Sequence, residues 1–254
     1  MRIFIVLFFT LCISFESLGW GQTGHRVIGL IAEYHLTKKA KKNIRKILKG
    51  QSVAMVSTFM DEIRSDGAYD HLSPWHYCTI PDGKTYEEAG TPDEGDIIYA
   101  IDLFFNELKN NKFTIEDEEF ALKCLIHLIA DVHQPMHVGN GLDRGGNDVE
   151  VEYFWRKSNL HRVWDTGIID AQNLSYTEYV KWIHLPARIK TEEWLQSDKI
   201  DWAYESMSFR NQIYNLPDDK RINYQYNYLN IDLVNLRLLQ AGIRLADILN
   251  DIYG

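Results

Sequence analysis

Apolar residues recur at helical spacing along most of the chain. Over residues 26–36 they fall at Val27, Ile28, Leu30, Ile31 and Leu36, one face of a helix. Residues 38–48 continue as a basic amphipathic helix stopped by Gly50, its lysines and arginines read as a solvated face. Residues 53–65 predict a further helix, and 81–94 (PDGKTYEEAGTPDE) a loop. Residues 97–108 and 116–132 are strongly helical. Pro135 ends the second of these shortly after His133, because proline cannot extend the backbone ladder. Residues 139–147, rich in Gly and Asn, read as a loop, and 148–155 (DVEVEYFW) alternate charged and apolar positions as a strand or hairpin does. Helix returns at 160–169, 182–195 has no clear pattern, and 231–252 predict a long closing helix with Leu233, Leu236, Leu239, Ile243 and Leu249 on its apolar face. With no internal repeat, the pattern predicts one mainly α domain with at most a small hairpin.

The first nineteen residues follow a different rule. Arg2, the apolar run 3–15 and Ser17-Leu18-Gly19 predict a secretory signal at 1–19, cleaved before Trp20. The run is shorter than the ~20 apolar residues that a bilayer span requires, and no later segment is long enough either. The mature chain, 20–254, is therefore expected to be soluble, without membrane attachment, and secreted or periplasmic, with a monomer as the default. Losing the signal removes one base and one acid, so the net charge stays at −9. Such a balance argues against nucleic-acid binding through basic patches; bound metal would supply positive charge locally. Cys12 leaves with the signal. Cys78 and Cys124 remain, as one disulfide or as two buried thiols, and both readings stand.

The chemistry lies in where His and Asp fall. His127 and Asp131 are four apart on a strong helix and so share a face. His133, Gln134, Pro135 and His137 follow at once. His161 and Asp165 form a second four-apart pair, Asp61 lies on an earlier helix, His76 follows Trp75, and His25 opens the first helix. Imidazole with carboxylate suits zinc, and two cysteines exclude a thiolate-rich site. One HxxxD pair means little. Two pairs, one of them extended to HxxxDxHxPxH, point to a polynuclear metal site. Cleavage before Trp20 would free an α-amine whose pKa of about 7.7–8.0 lets it bind metal near neutrality. Taken alone, Trp20 is better explained as a buried anchor for the first helix.

Together these residues resemble the three-zinc, single-strand-preferring nucleases of the S-one/P-one type. The resemblance is carried by WGQTGH at 20–25, DEIR at 61–64, WHY at 75–77, HLIADVHQPMH at 127–137, GGNDVEV at 145–151, NLHRVWD at 159–165 and QAGIRLADILN at 240–250. It implies a single-domain helical fold of the zinc-dependent phospholipase C/nuclease type with a small β-hairpin. It also implies three Zn²⁺. One would take Asp61, His76, His127 and Asp131. The second would take the Trp20 amine and carbonyl, His25 and the shared Asp131, and the third His137, His161 and Asp165. His35, His71, His133 and His184 stay unassigned, His133 being read as packing. Tyr77 is a candidate for stacking on a base, and Asn147 for a base contact, against ordinary packing and turn formation. The sequence departs from the family after WHY, where it reads CTIP (78–81), and it lacks the family's structural disulfides.

The activity implied is endonucleolytic hydrolysis of single-stranded DNA or RNA to 5′-phosphorylated products, with 3′-nucleotidase activity as an extension. Zinc-bound hydroxide would attack phosphorus, Asp61 would orient it, and Arg64, one turn away, would hold the phosphate as a guanidinium fork does. A surface ion pair with Glu62 or Asp66 is the plainer role for Arg64. A zinc-dependent phospholipase C is the nearest rival, but its last ligand pair is typically HxxxE where this chain has HxxxD at His161 and Asp165. Zinc storage needs no such arginine, and no HExxH motif supports a peptidase.

Overall fold

The computed structural model describes residues 20–254; the predicted signal lies outside them. Helix α1 (Gln22–His35) leads into α2 (Lys38–Ile47), which Thr37 caps by accepting from the Ala40 amide at 3.1 Å. Where one helix is expected over 53–65, the structure has two, α3 (Val53–Val56) and α4 (Phe59–Ile63). The break has a local cause. The Ser57 hydroxyl donates back to the Ala54 carbonyl at 2.9 Å, and the Ser57 carbonyl accepts from a His127 ring nitrogen rather than from the helix. A ten-residue 3₁₀ segment, Gly67–His76, follows and was not predicted. It ends at β1 (Cys78–Thr79), which pairs in parallel with β2 (Val138–Gly139).

After the short α5 (Tyr86–Ala89) come α6 (Ile97–Asn110) and α7 (Glu118–Val132). Asp96 caps α6 and Asp117 caps α7 with their carboxylates. Helix α7 starts two residues later than its periodicity suggests, because Asp117 takes the cap. It is buried on nearly every side, as a helix apolar all round must be. The turn Pro135–His137 carries the chain from α7 into β2. The predicted hairpin is present as β3 (Glu150–Tyr153) and β4 (Arg156–Asn159), joined at Phe154 and Trp155, both with positive φ.

Residues 160–169 are helical but irregular: α8 (Leu160–Arg162), a π turn over Val163–Gly167, and α9 (Ile168–Asp170). The stretch with no clear pattern resolves into α10 (Tyr176–Ile183), a 3₁₀ turn and α11 (Thr191–Trp194), with α12 (Lys199–Ser208) and α13 (Arg210–Ile213) beyond. Strand β5 (Arg221–Ile222) joins β3 in parallel. The closing helix α14 (Tyr224–Tyr253) begins earlier than its apolar stripe, because its first turns are partly exposed.

The core lies where α1, α7 and α14 meet. Gly242 of α14 permits the close approach: a Cβ there would sit 2.5 Å from the Ile31 side chain of α1. Gly29 of α1 faces α3 in the same way, with the Ala54 Cα 2.6 Å from where its Cβ would be. Two guanidiniums of α14, Arg237 and Arg244, are wholly buried and share Glu205 of α12. Cys78 and Cys124 are separate buried thiols, so the disulfide alternative is set aside. Burial pushes both thiols well above their usual range. Among the described residues no helix is long and apolar enough to cross a membrane.

Candidate metal centre

Eight side chains singled out by spacing or resemblance converge from six parts of the chain. His25 comes from the first turns of α1, Asp61 from α4, His76 from the end of the 3₁₀ segment, His127 and Asp131 from α7, His137 from the turn after it, and His161 and Asp165 from α8 and the π turn. They form three groups able to hold an ion, each with ligand atoms within 4.8 Å of one another: His25, His127 and Asp131; Asp61, His76 and His127; His137, His161 and Asp165.

Asp131 is the hinge of the arrangement. One oxygen, Oδ1, lies 3.3 Å from His25 Nε2. The other, Oδ2, lies 3.0 Å from His76 Nδ1 and 3.1 Å from His127 Nε2. Asp61 closes the far side, its oxygens 3.8 Å from His127 Nε2 and 3.9 Å from His25 Nε2. The His25 and His127 rings stack at 4.1 Å, so His127 stands beside His25 as well as beside Asp61 and His76. In the third group Asp165 lies 3.1 Å from His161 Nε2 and 3.7 Å from His137 Nε2.

Each of three imidazoles is oriented by its other nitrogen. His127 Nδ1 donates to the Ser57 carbonyl at 2.8 Å, His137 Nδ1 to the His76 carbonyl at 2.6 Å, and His161 Nδ1 to the Gly145 carbonyl at 2.6 Å. With Nδ1 carrying the hydrogen, Nε2 presents its lone pair inward, the usual way a ligating histidine is fixed. Gly145 earns its place: its φ is +62°, and a Cβ would meet the Met136 carbonyl. The Gln134 carboxamide, fully buried, donates through Nε2 to Asp165 Oδ1 and accepts the Met136 amide through Oε1 at 2.6 Å. Ser57, Gln134 and Gly145 were not singled out from sequence. Only Gln134, a carboxamide lying between His133 and His137 in the ligand motif, carried a signal that could have found it.

Buried polar atoms left without partners cluster here. They include both ring nitrogens of His25, both oxygens of Asp61, Asp131 Oδ1, His137 Nε2 and His161 Nε2. Leaving so many polar atoms dry and unpaired would cost about 1–3 kcal/mol each. Cations held in the three groups would answer all but one ring nitrogen of His25, and the nitrogen and oxygen donor set is that of zinc. The electrostatics fit a shared site. Burial disfavours charge on His127, yet Asp131 and Asp61 outweigh it and raise its pKa to about 9. Burial likewise opposes the Asp131 carboxylate, but His127 and His137 hold it well below the usual range. His137, buried and near His161, is pushed down to about 3 despite Asp131.

The remaining candidates sit around this centre. Trp20 is fully buried, and the next residue, Gly21, donates its amide to the Asp165 carbonyl at 2.7 Å, which holds the start of the described chain against the third group. Arg64 caps α4 one turn beyond Asp61. The Glu62 carboxylate accepts from the Thr58 hydroxyl at 2.6 Å. Tyr77 follows His76 directly with half its surface exposed. The Asn147 amide donates to the Arg144 carbonyl at 2.9 Å, the turn-forming role. His133 packs as expected: Nδ1 donates to the Ile129 carbonyl, Nε2 accepts from Arg244, and burial with Arg237 keeps it neutral.

A family model described as S1/P1 Nuclease matches residues 20–254. Among similar proteins, Endonuclease 2 of Arabidopsis thaliana is 27% identical over 93% of this chain and 91% of its own length. Nuclease S1 of Aspergillus oryzae is 30% identical over 76% of this chain and 70% of its own. Nuclease P1 of Penicillium citrinum is 24% identical over 92% of this chain and 98% of its own.

Proposed function

The chain belongs to the S1/P1 nuclease family, phosphodiester hydrolases that depend on zinc, and from that premise we propose that it is an exported endonuclease cutting single-stranded DNA and RNA to 5′-phosphorylated products, with 3′-nucleotidase activity at the same site. The observation that carries this reading is the cluster of unpartnered buried nitrogens and oxygens around Asp131 and Asp165. Three zinc ions fit it: Asp61, His76, His127 and Asp131 hold one; the Trp20 amine and carbonyl, His25 and Asp131 hold another; His137, His161 and Asp165 hold the third. When bound, zinc supplies Lewis acidity, lowering the pKa of water toward ~7 and neutralising phosphate charge.

The protein's own groups do the rest. Asp61, with no hydrogen bond to either oxygen, accepts a proton from the attacking water and orients it. Arg64 presents a planar fork of donors to the phosphate oxygens as charge builds on them. Tyr77 offers an exposed ring on which any base can stack, which selects unpaired strands without reading sequence. Asn147 donates to Arg144 and keeps its own carbonyl for an exocyclic amine.

The test is nucleotide release from single-stranded DNA and RNA by protein beginning at Trp20. It is run with zinc, after chelation, and beside Asp131→Ala. Release restored by zinc and absent in the variant supports the reading; no release from either polymer by folded, zinc-loaded protein overturns it. A form carrying two extra residues before Trp20 checks the amine ligand: it should bind one zinc fewer, and full occupancy would remove the amine from the ligand set.

A further inference from the structure

Between Glu33 and Asp61 the chain has no acidic residue but seven cations: Lys38, Lys39, Lys41, Lys42, Arg45, Lys46 and Lys49. The rest of the chain has 20 basic against 36 acidic side chains, so positive charge is concentrated on α2 and its end. All seven are exposed, while Ala40, Ile44 and Leu48 point inward. Lys38, Lys42 and Arg45 fall at i, i+4 and i+7, a single stripe about 10 Å long, and Lys49 follows beyond the helix end with φ +51°. Lys49 reaches Glu119 at 2.7 Å and Lys39 the Gly254 carbonyl at 2.8 Å. Among the described residues no carboxylate pairs with Lys38, Lys41, Lys42, Arg45 or Lys46.

A solvated face accounts for the exposure but not for the single sign. Like charges at i, i+4 destabilise a helix by ~0.2–0.5 kcal/mol per pair. The first turn also holds Lys38 and Lys39 and no acid, against the helix dipole. Mixed charges would solvate the helix equally well without either cost. We propose that α2 is a docking surface for the phosphate backbone of a single-stranded nucleic acid, which holds a long substrate outside the metal centre. The choice of polyanion rests on the nuclease reading. The stripe is long enough to face about three phosphates at the ~3.4 Å rise of a stacked strand. A cavity of about 240 Å³ beside α2 is lined by Lys41 and Arg45 together with Glu33, Ser52 and Val53; the Glu33 carboxylate is taken up by the Val53 amide at 2.6 Å, and α3, which starts there, ends next to Ser57, whose carbonyl meets His127. Insertion into a membrane surface is disfavoured, because the apolar side of α2 is already covered.

The test compares wild type with K38Q/K42Q/R45Q, which keeps good helix formers and touches no residue of the metal centre. With zinc-loaded protein, kcat/KM is measured across salt concentrations on a long single-stranded oligonucleotide and on a dinucleotide. The variant should lose about tenfold on the long strand at low salt. Its slope of log kcat/KM against log salt should fall by about 2, three phosphate contacts at ~0.7 each, and the dinucleotide should be unaffected. An unchanged slope, or an equal loss on the dinucleotide, overturns the proposal. Fluorescence anisotropy of the same oligonucleotide reads the surface without cleavage. Variant-sensitive binding by a wild type that cuts neither substrate would overturn the nuclease reading and leave the surface standing. Binding to anionic phosphatidylglycerol vesicles, with indifference to the oligonucleotide, would overturn the surface as a nucleic-acid site.

Discussion

A carboxylate that serves a metal through one oxygen must have the other one held. Gln134 does this for Asp165, and its own carbonyl is tied to the Met136 amide, so the carboxamide cannot rotate away. Outer partners of this kind typically carry 10–100-fold in metal affinity. Gln134→Leu is therefore expected to weaken zinc at His137, His161 and Asp165 by about that factor while the other two groups keep theirs. Zinc titration monitored by elemental analysis checks this; three equally tight ions in the variant would show that Gln134 only fills space. The contrast explains what could be read from the sequence. His127 with Asp131, and His161 with Asp165, were legible because four-residue spacing puts two ligands on one helix face. His25, Asp61 and His76 needed the resemblance, since nothing local joins them. Ser57 and Gly145 were invisible, because each acts through a backbone carbonyl that every residue possesses.

The centre is only as well aligned as the short elements that carry it, and α3 is the most exposed to error. It rests against α1 at Gly29, where a methyl group would fall 2.6 Å from the Ala54 Cα. Backbone cannot yield as a side chain can, so Gly29→Ala should displace α3 and with it the Ser57 carbonyl that orients His127. Overpacking of this kind costs about 1–3 kcal/mol; denaturant unfolding should show that loss, accompanied by weaker zinc binding. On the opposite side, α12 and α14 are joined by Glu205. Burial raises the Glu205 pKa, but Arg244 and Arg237 outweigh it and hold it below the ordinary carboxylate value. A carboxylate depressed in the folded state contributes stability above its unfolded pKa and loses it as pH falls through the folded one. Wild type should therefore lose this contribution below about pH 4.5. Glu205→Gln should be less stable at neutral pH by about 3 kcal/mol, the cost of stranding buried guanidiniums, and should have a flatter acid limb in melting temperature against pH. At this scale long helices were legible from periodicity. The α3–α4 break, the 3₁₀ segment and the π turn were not, because a polar cause such as the Ser57 hydroxyl turning back to Ala54 leaves no apolar period.

Across the whole molecule, folding gathers three carboxylates and five imidazoles into one largely buried cluster, and the hydrophobic packing of α1, α7 and α14 holds them there. That packing works against solvation, since the unfolded chain would hydrate every one of these groups. Without a cation the cluster keeps buried donors and acceptors without a protein partner, so the metal-free fold is expected to carry a standing penalty. An ion that binds only the folded chain contributes about 4.1 kcal/mol when its free concentration is a thousand times its Kd. For a chain of this size each kcal/mol shifts Tm by roughly 2–4 °C, so even one such site is worth about 10 °C. Full chelation of the protein beginning at Trp20 should therefore lower Tm by about 10 °C or more. Zinc should restore it, magnesium should not, because nitrogen-rich groups suit the former and all-oxygen shells the latter. The basic surface of α2 predicts that added salt leaves this shift nearly intact while weakening long-strand binding, since the cluster is buried and the stripe is not. A Tm that does not move when zinc is fully removed would mean that the polar cluster is satisfied by the protein and water alone.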